Sequence, residues 1–208
     1  TVVVVPSQTL HRIATGTWRL SARRVLYVAN GIDCTRFSPT APAQGVGGPT
    51  TVGTVATLRA EKNLGRLLDA VAMARARMPL RLIVVGDGPE RQALEAQAGR
   101  LALGDGVSFV GATATPESFY RQMDVFALSS DTEQMPYSVL EAMACGLPIV
   151  ATDVGDIGAM VAPSNRPFIV AARTAEAMAD GLLALARDRG LRSRIAAANR
   201  EAVLDRFD

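Results

Sequence analysis

From residue 51 onward the spacing of hydrophobic positions switches back and forth between two patterns. Short runs that are apolar on both faces, TVGTVA, RLIVVG, VSFVG and DVFALSS, alternate with stretches whose apolar residues recur every three or four positions. The first pattern predicts buried strands and the second predicts amphipathic helices, over Leu64 to Met78, Glu90 to Leu101 and Glu117 to Met123. A further helix is predicted from Tyr137 to Cys145, with Val139, Leu140, Met143 and Ala144 on its apolar face and Gly146 as its stop. Pro148 then opens a buried strand, Ile149-Val150-Ala151. Strands buried on both faces and joined by helices define a parallel sheet covered on both sides, the doubly wound α/β class with a Rossmann-like arrangement. Ligands of such sheets bind outside the carboxyl ends of the strands. Thr57 to Lys62, Gly86-Asp87-Gly88-Pro89, Gly111 to Thr115 and Ser129 to Glu133 all fall there, so these separated segments are expected to converge.

The first fifty residues follow another rhythm. A strand over Thr1 to Val5 leads into a polar segment with His11 and Trp18, then a second strand over Val25 to Val28 that ends at Asn30-Gly31. The stretch Pro39 to Pro49, PTAPAQGVGGP, reads as a linker. The expected division is therefore residues 1–38 as the remnant of an upstream domain, 39–50 as a linker and 51–208 as the main domain. Thr174 to Phe207 reads as helix interrupted near Gly190, without visible chemistry.

Composition narrows the function. The 208 residues suffice for a full core, and a net charge of +2 without a basic run gives no case for nucleic acid. No apolar run reaches the length of a membrane span and no leader pattern is visible. Cys34 and Cys145 lack metal-ligand spacing and suit a reducing cytoplasm, with no disulfide expected. His11 is the single histidine, so neither a histidine-pair metal site nor a triad built on a second histidine is available. The nearest approach to an Asp-x-Asp triplet is Asp131-Thr132-Glu133, and no bound metal is indicated.

The densest candidate chemistry lies between Ser129 and Gly155, where Glu133 and Glu141 stand eight residues apart across a loop-to-helix junction. Even on one continuous helix that spacing separates them by about 12 Å along the axis and roughly 80° around it. They are too far apart for an acid–base dyad and better suited to two contacts on one extended polar ligand. Gly86 and Gly88 allow a close backbone approach, either to a ligand or simply within a turn. Arg59 and Lys62, at the start of the following helix, suit a diphosphate; the alternative is a pair of solvated loop charges beside Glu61.

In that order, the pieces resemble the nucleotide-binding C-terminal half of retaining GT-B glycosyltransferases of family 4, also called group 1. The resemblance rests on Asn30-Gly31-Ile32-Asp33 with Phe37, Gly53, Leu58 to Asn63, Val84 to Pro89, Val107 to Gly111, Tyr120 to Asp124, and Glu133 to Gly146 followed by Pro148 to Thr152. It implies transfer of a sugar from a GDP-, UDP- or ADP-linked donor to an acceptor, with retention and no cofactor. By the same resemblance Glu141 holds the ribose and Glu133 contacts the transferred sugar. Lys62 and Arg59 steady the diphosphate, aided by amides around Val139 and Leu140, while Val110 and Gly111 hold the base. A non-catalytic nucleotide-sugar-binding module and a GT-B nucleotide-sugar epimerase are the alternatives.

Three positions depart from the family pattern: Thr57 stands where an arginine is common, Gln134-Met135-Pro136 replaces a glycine-rich run, and Asp156 replaces a glycine. The resemblance places the sugar or lipid-linked acceptor mainly in an upstream half. It therefore implies a fragment that binds donor but turns over little or nothing, with peripheral membrane association of the full-length protein; the apolar N-terminal strands, expected to be exposed, are candidate dimer contacts.

Overall fold

The computed structural model describes residues 1–39 and 48–208, so most of the predicted linker lies outside the described residues. At the amino end, β1 (Val3–Val5) and β2 (Val25–Tyr27) pair in parallel across α1 (Gln8–Arg12) and the π turn that extends it. The Ser7 hydroxyl caps α1 by accepting the Leu10 amide at 3.0 Å. Val5, Ala14 and Val25 form a small core of their own. On the other face of the ribbon Val2, Val4, Leu26 and Val28 stand exposed, with Val4 opposite Leu26.

The main sheet contains β3 (Thr50–Val55), β4 (Leu80–Val85), β5 (Val107–Gly111), β6 (Val125–Leu128), β7 (Ile149–Thr152) and β8 (Ile169–Val170). All its pairs are parallel, in the order β5-β4-β3-β6-β7-β8. The predicted doubly wound α/β class is therefore the fold. Between the strands run α2 (Leu64–Arg75), α3 (Arg91–Arg100), α4 (Glu117–Tyr120), α5 (Tyr137–Ala144) and α6 (Ile157–Met160), followed by α7 (Ala175–Arg187) and α8 (Arg189–Arg206). Residues of α2, α3 and α7 fill the core on one face, and residues of α5, α6 and α8 fill the other. Cys34 and Phe37 pack into this second core, so residues before the linker also belong to the large unit.

Several predicted boundaries shift for identifiable reasons. β3 starts at Thr50, inside the stretch read as linker. The helix expected to reach Met123 stops at Tyr120, because the Asp124 amide is already committed to the Thr51 carbonyl at 2.8 Å. The break expected at Gly190 falls at Asp188, whose extended backbone and side chain make it the N-cap of α8: it accepts the Leu191 amide at 2.8 Å.

At the far margin of the sheet, β8 pairs with β7 only from Ala151 onward. The buried Asn165 side chain takes the strand's place before that, accepting from the Ile149 amide and donating to its carbonyl, both at 2.8 Å. Asn199 of α8 locks the arrangement by donating to Asn165 and to the Leu147 carbonyl while accepting the Ala162 amide.

Candidate functional site

The strand order reverses direction at β3 and β6, the point where doubly wound sheets open a crevice. The carboxyl ends of β3, β4 and β5 line a cleft of about 280 Å³ with Glu141 in its wall. A neighbouring cleft of about 230 Å³ contains Glu133 and is closed on one side by Thr9, Leu10 and Ile13. The two glutamates thus occupy different clefts.

Glu141 rides in the middle of α5, on a helix whose apolar face is fully buried. Its Oε2 accepts the Tyr120 hydroxyl at 2.6 Å. Burial raises the Glu141 carboxyl above its ordinary value of 4.5, and the Tyr120 bond only partly offsets this. Tyr120 is pushed well above the usual tyrosine range, first by its own burial and then by the charge and hydrogen bond of Glu141. Oε1 accepts no hydrogen bond among the described residues and is the atom available to a ligand.

Glu133 sits in the loop after β6. Its Oε1 lies 2.6 Å from Lys62 Nζ and accepts the Ser130 hydroxyl at 2.7 Å. Ser130 is held in turn by the Thr152 hydroxyl, which donates to its carbonyl at 2.6 Å. Lys62 is fixed through its backbone as well, since its carbonyl accepts the Ser129 hydroxyl at 2.9 Å. Beside this pair, Arg66 donates to the Ser129 carbonyl at 2.8 Å and to Asp131 at 2.6 Å, and Asn63 donates to Asp131 at 3.0 Å. Burial pulls the Asp131 carboxyl upward, but the Arg66 and Asn63 bonds outweigh it and hold the group below 3.8. Asn63 reaches this position from a left-handed backbone, φ 43°, while its side-chain oxygen caps α2.

The remaining predicted residues divide. Gly86 lines the first cleft, but its special backbone, φ 129°, serves the fold: a Cβ there would collide with the Ala56 carbonyl. Gly88 likewise faces the Leu58 backbone rather than the cleft. Leu58 and the glycine loop are stitched together by bonds of 3.0 Å from Leu58 to the Asp87 carbonyl and from Glu90 to the Leu58 carbonyl. Val110 is the extra residue of a β-bulge, since Phe109 pairs with Val84 and Gly111 pairs with Val85. The Gly111 carbonyl accepts the Gly86 amide at 2.8 Å. Arg59 is exposed; its carbonyl accepts the Lys62 amide at 3.0 Å, but among the described residues its guanidinium forms no ion pair or hydrogen bond with Glu133. The Val139 and Leu140 amides turn back to the Pro136 carbonyl at 3.2 and 3.4 Å, so the amides free at the start of α5 are those of Tyr137 and Ser138.

Sequence reasoning gave no role to Tyr120, Ser130, Arg66 or Asp131. Tyr120 sat in an apolar helical pattern, and nothing local marked its hydroxyl as the partner of a carboxylate 21 residues away.

A parallel sheet covered by helices, with two clefts at its switch point, is an α/β domain of the Rossmann-like kind. Residues 49–188 match the family described as Glycosyl transferases group 1, and the chain belongs to that family. It is 29% identical over 219 residues to a GDP-mannose-dependent alpha-(1-6)-phosphatidylinositol monomannoside mannosyltransferase of Mycobacterium tuberculosis, covering 97% of this chain and 56% of that protein. It is 31% identical over 187 residues to the lipopolysaccharide core biosynthesis mannosyltransferase LpsB of Rhizobium meliloti, covering 83% and 52%. Among solved structures it superposes on Anabaena Alr3699/HepE in complex with UDP and glucose, with a TM-score of 0.86 and 25% identity, over 100% of this chain and 59% of that one. The chain thus spans about half the length of these relatives.

Proposed function

We propose that this chain is the donor-binding part of a retaining glycosyltransferase that transfers a hexose from a nucleotide diphosphate sugar. The observation that carries the reading is the placement of the two glutamates: Glu141 in a cleft built from three strand ends, and Glu133 in the adjoining one beside a lysine. One ligand spanning both clefts would meet Glu141 with its ribose and Glu133 with its sugar. Similarity to proteins described with UDP and with GDP-mannose supports a nucleotide-sugar donor.

In this reading the Glu141 Oε1 accepts from ribose hydroxyls while Tyr120 holds the other oxygen in place. The base lies against the β5 bulge at Val110 and Gly111, above the floor that Gly86 and Gly88 allow to close. Lys62, the exposed Arg59 and the free amides ahead of Val139 and Leu140 receive the diphosphate. As the sugar leaves, negative charge gathers on that diphosphate, and a fixed ammonium and a helix N-terminus aimed at it lower the barrier without a metal ion. The acceptor is held mainly by the half of the protein that the relatives have in addition, so residues 1–208 bind donor and transfer little or nothing. The apolar row of Val2, Val4, Leu26 and Val28 is where that half, or a second copy, would dock. We place the whole protein in the cytoplasm, peripherally at a membrane where its acceptor is lipid-linked.

Calorimetric titration of UDP, GDP and ADP against the wild type and Glu141→Ala tests the reading. Removing the charge-assisted ribose contact is expected to cost about 1.5–3 kcal/mol, roughly a 10- to 150-fold loss of affinity. A folded variant with unchanged affinity would sink the assignment.

A further inference from the structure

The carboxylate of Asp156 is almost wholly buried, and its partners lie at the opposite end of the chain. Its Oδ2 accepts the Gln8 amide at 2.5 Å and its Oδ1 accepts the Thr9 amide at 3.0 Å, the first two amides of α1. The Thr9 hydroxyl adds a bond of 3.3 Å to the Gly155 carbonyl. No lysine or arginine stands within ion-pair distance of Asp156 among the described residues, so the charge is met by the amides of one helix end.

The same two residues grip the Glu133 loop from behind. The Asp156 amide donates to the Gln134 carbonyl at 2.9 Å. Gly155, at φ 59°, packs so closely that a Cβ would press on the carbonyls of both Glu133 and Gln134. The turn at Gly155-Asp156 is therefore a two-sided fastener, with its backbone on the Glu133 loop and its side chain on α1. The 230 Å³ cleft between them is lined by Thr9, Leu10 and Ile13 from one side and by Glu133 and Gln134 from the other.

We propose that Asp156 is a positioning residue for the donor sugar: by clamping α1 to the Glu133 loop it assembles the Glu133 cleft and sets how that glutamate meets its ligand. The proposal rests on the sugar-contacting role given to Glu133. Asp156 itself touches no substrate. Its effect is confined to the Glu133 cleft, because Glu141 and its helix are fixed by other contacts.

Two variants of the chain test this. Asp156→Asn keeps the shape but sets an amide group against one of the α1 amides. Gln8→Pro removes one donor from the clamp at the first helical position, where proline is tolerated and the extended backbone of Ser7 accommodates it. Hydrogen exchange and nucleotide binding are read together, with UDP against UDP-glucose and GDP against GDP-mannose. In Asp156→Asn, exchange is expected to accelerate at least tenfold both in α1 and in residues 131–135, with a smaller acceleration in Gln8→Pro. The nucleotide diphosphates should bind as they do to the wild type, while the added affinity of the sugar-bearing donor falls at least fivefold. Faster exchange in α1 with residues 131–135 unchanged would overturn the proposal, as would an unchanged sugar increment. If the wild type binds neither nucleotide, the functional reading fails separately, and the exchange of residues 131–135 still decides whether Asp156 clamps that loop.

Discussion

Glu141 and Glu133 are the same residue type eight positions apart, yet the fold gives them opposite surroundings. Glu141 is held by a rigid helix and a neutral phenol, with no ion pair among the described residues, and burial raises its carboxyl. Glu133 is held by a loop, and its charge is answered directly by Lys62. The first keeps one carboxylate oxygen open to hydroxyl groups while its phenol partner holds the other. The second belongs to an ion pair that a ligand must enter or rearrange.

Removing Lys62 should break this contrast most severely. Lys62→Met leaves the nearly buried Glu133 carboxylate with only the Ser130 hydroxyl, and a loss of about 2–4 kcal/mol is expected in urea unfolding. The double variant with Glu133→Gln should recover a good part of that loss, and additive effects would show that the pair is not coupled.

Tyr120→Phe comes next. It deprives Glu141 of the donor that offsets its burial, so stability should drop by about 2 kcal/mol and the Glu141 carboxyl should rise further. A variant as stable as the wild type, measured at neutral pH, would mean the phenol is a packing group only.

The pH dependence is the finest probe. Because the folded Glu141 carboxyl lies above its ordinary value, its contribution to stability is fully present below the unfolded value and is lost as pH rises through the folded one. If Glu141 takes the ribose as proposed, nucleotide affinity should move the other way: that contact needs the ionised form, so binding weakens on acidification at a pH above the ordinary carboxylate range. Glu141→Gln should remove that acid limb, whereas Glu133→Gln should leave it in place.

The two glutamates also differ in how far the sequence discloses them. The helix under Glu141 is written in the spacing of Val139, Leu140 and Met143, and the strands around both are apolar on two faces, so the sheet and the cleft ends were legible. Their partners were not. Tyr120, Ser130 and Asp156 act through a hydroxyl or carboxylate whose neighbours are set by the crossing of distant elements, which periodicity does not encode. Gly86 and Gly88 show the reverse case: residues conspicuous in sequence prove to make room chiefly for the backbone of an adjoining loop.

The asparagine lock at the sheet's margin bears on how such a chain is made. Asn165 cannot be fully satisfied until Asn199 arrives, and Asn199 in turn reaches back 52 residues to the Leu147 carbonyl. During synthesis from the amino end, β7 would therefore emerge well before the helix that completes its dry surroundings. The last strands should mature late, when α8 clears the ribosome, and a nascent chain stalled before residue 199 would expose the α5 face to whatever chaperone is at hand.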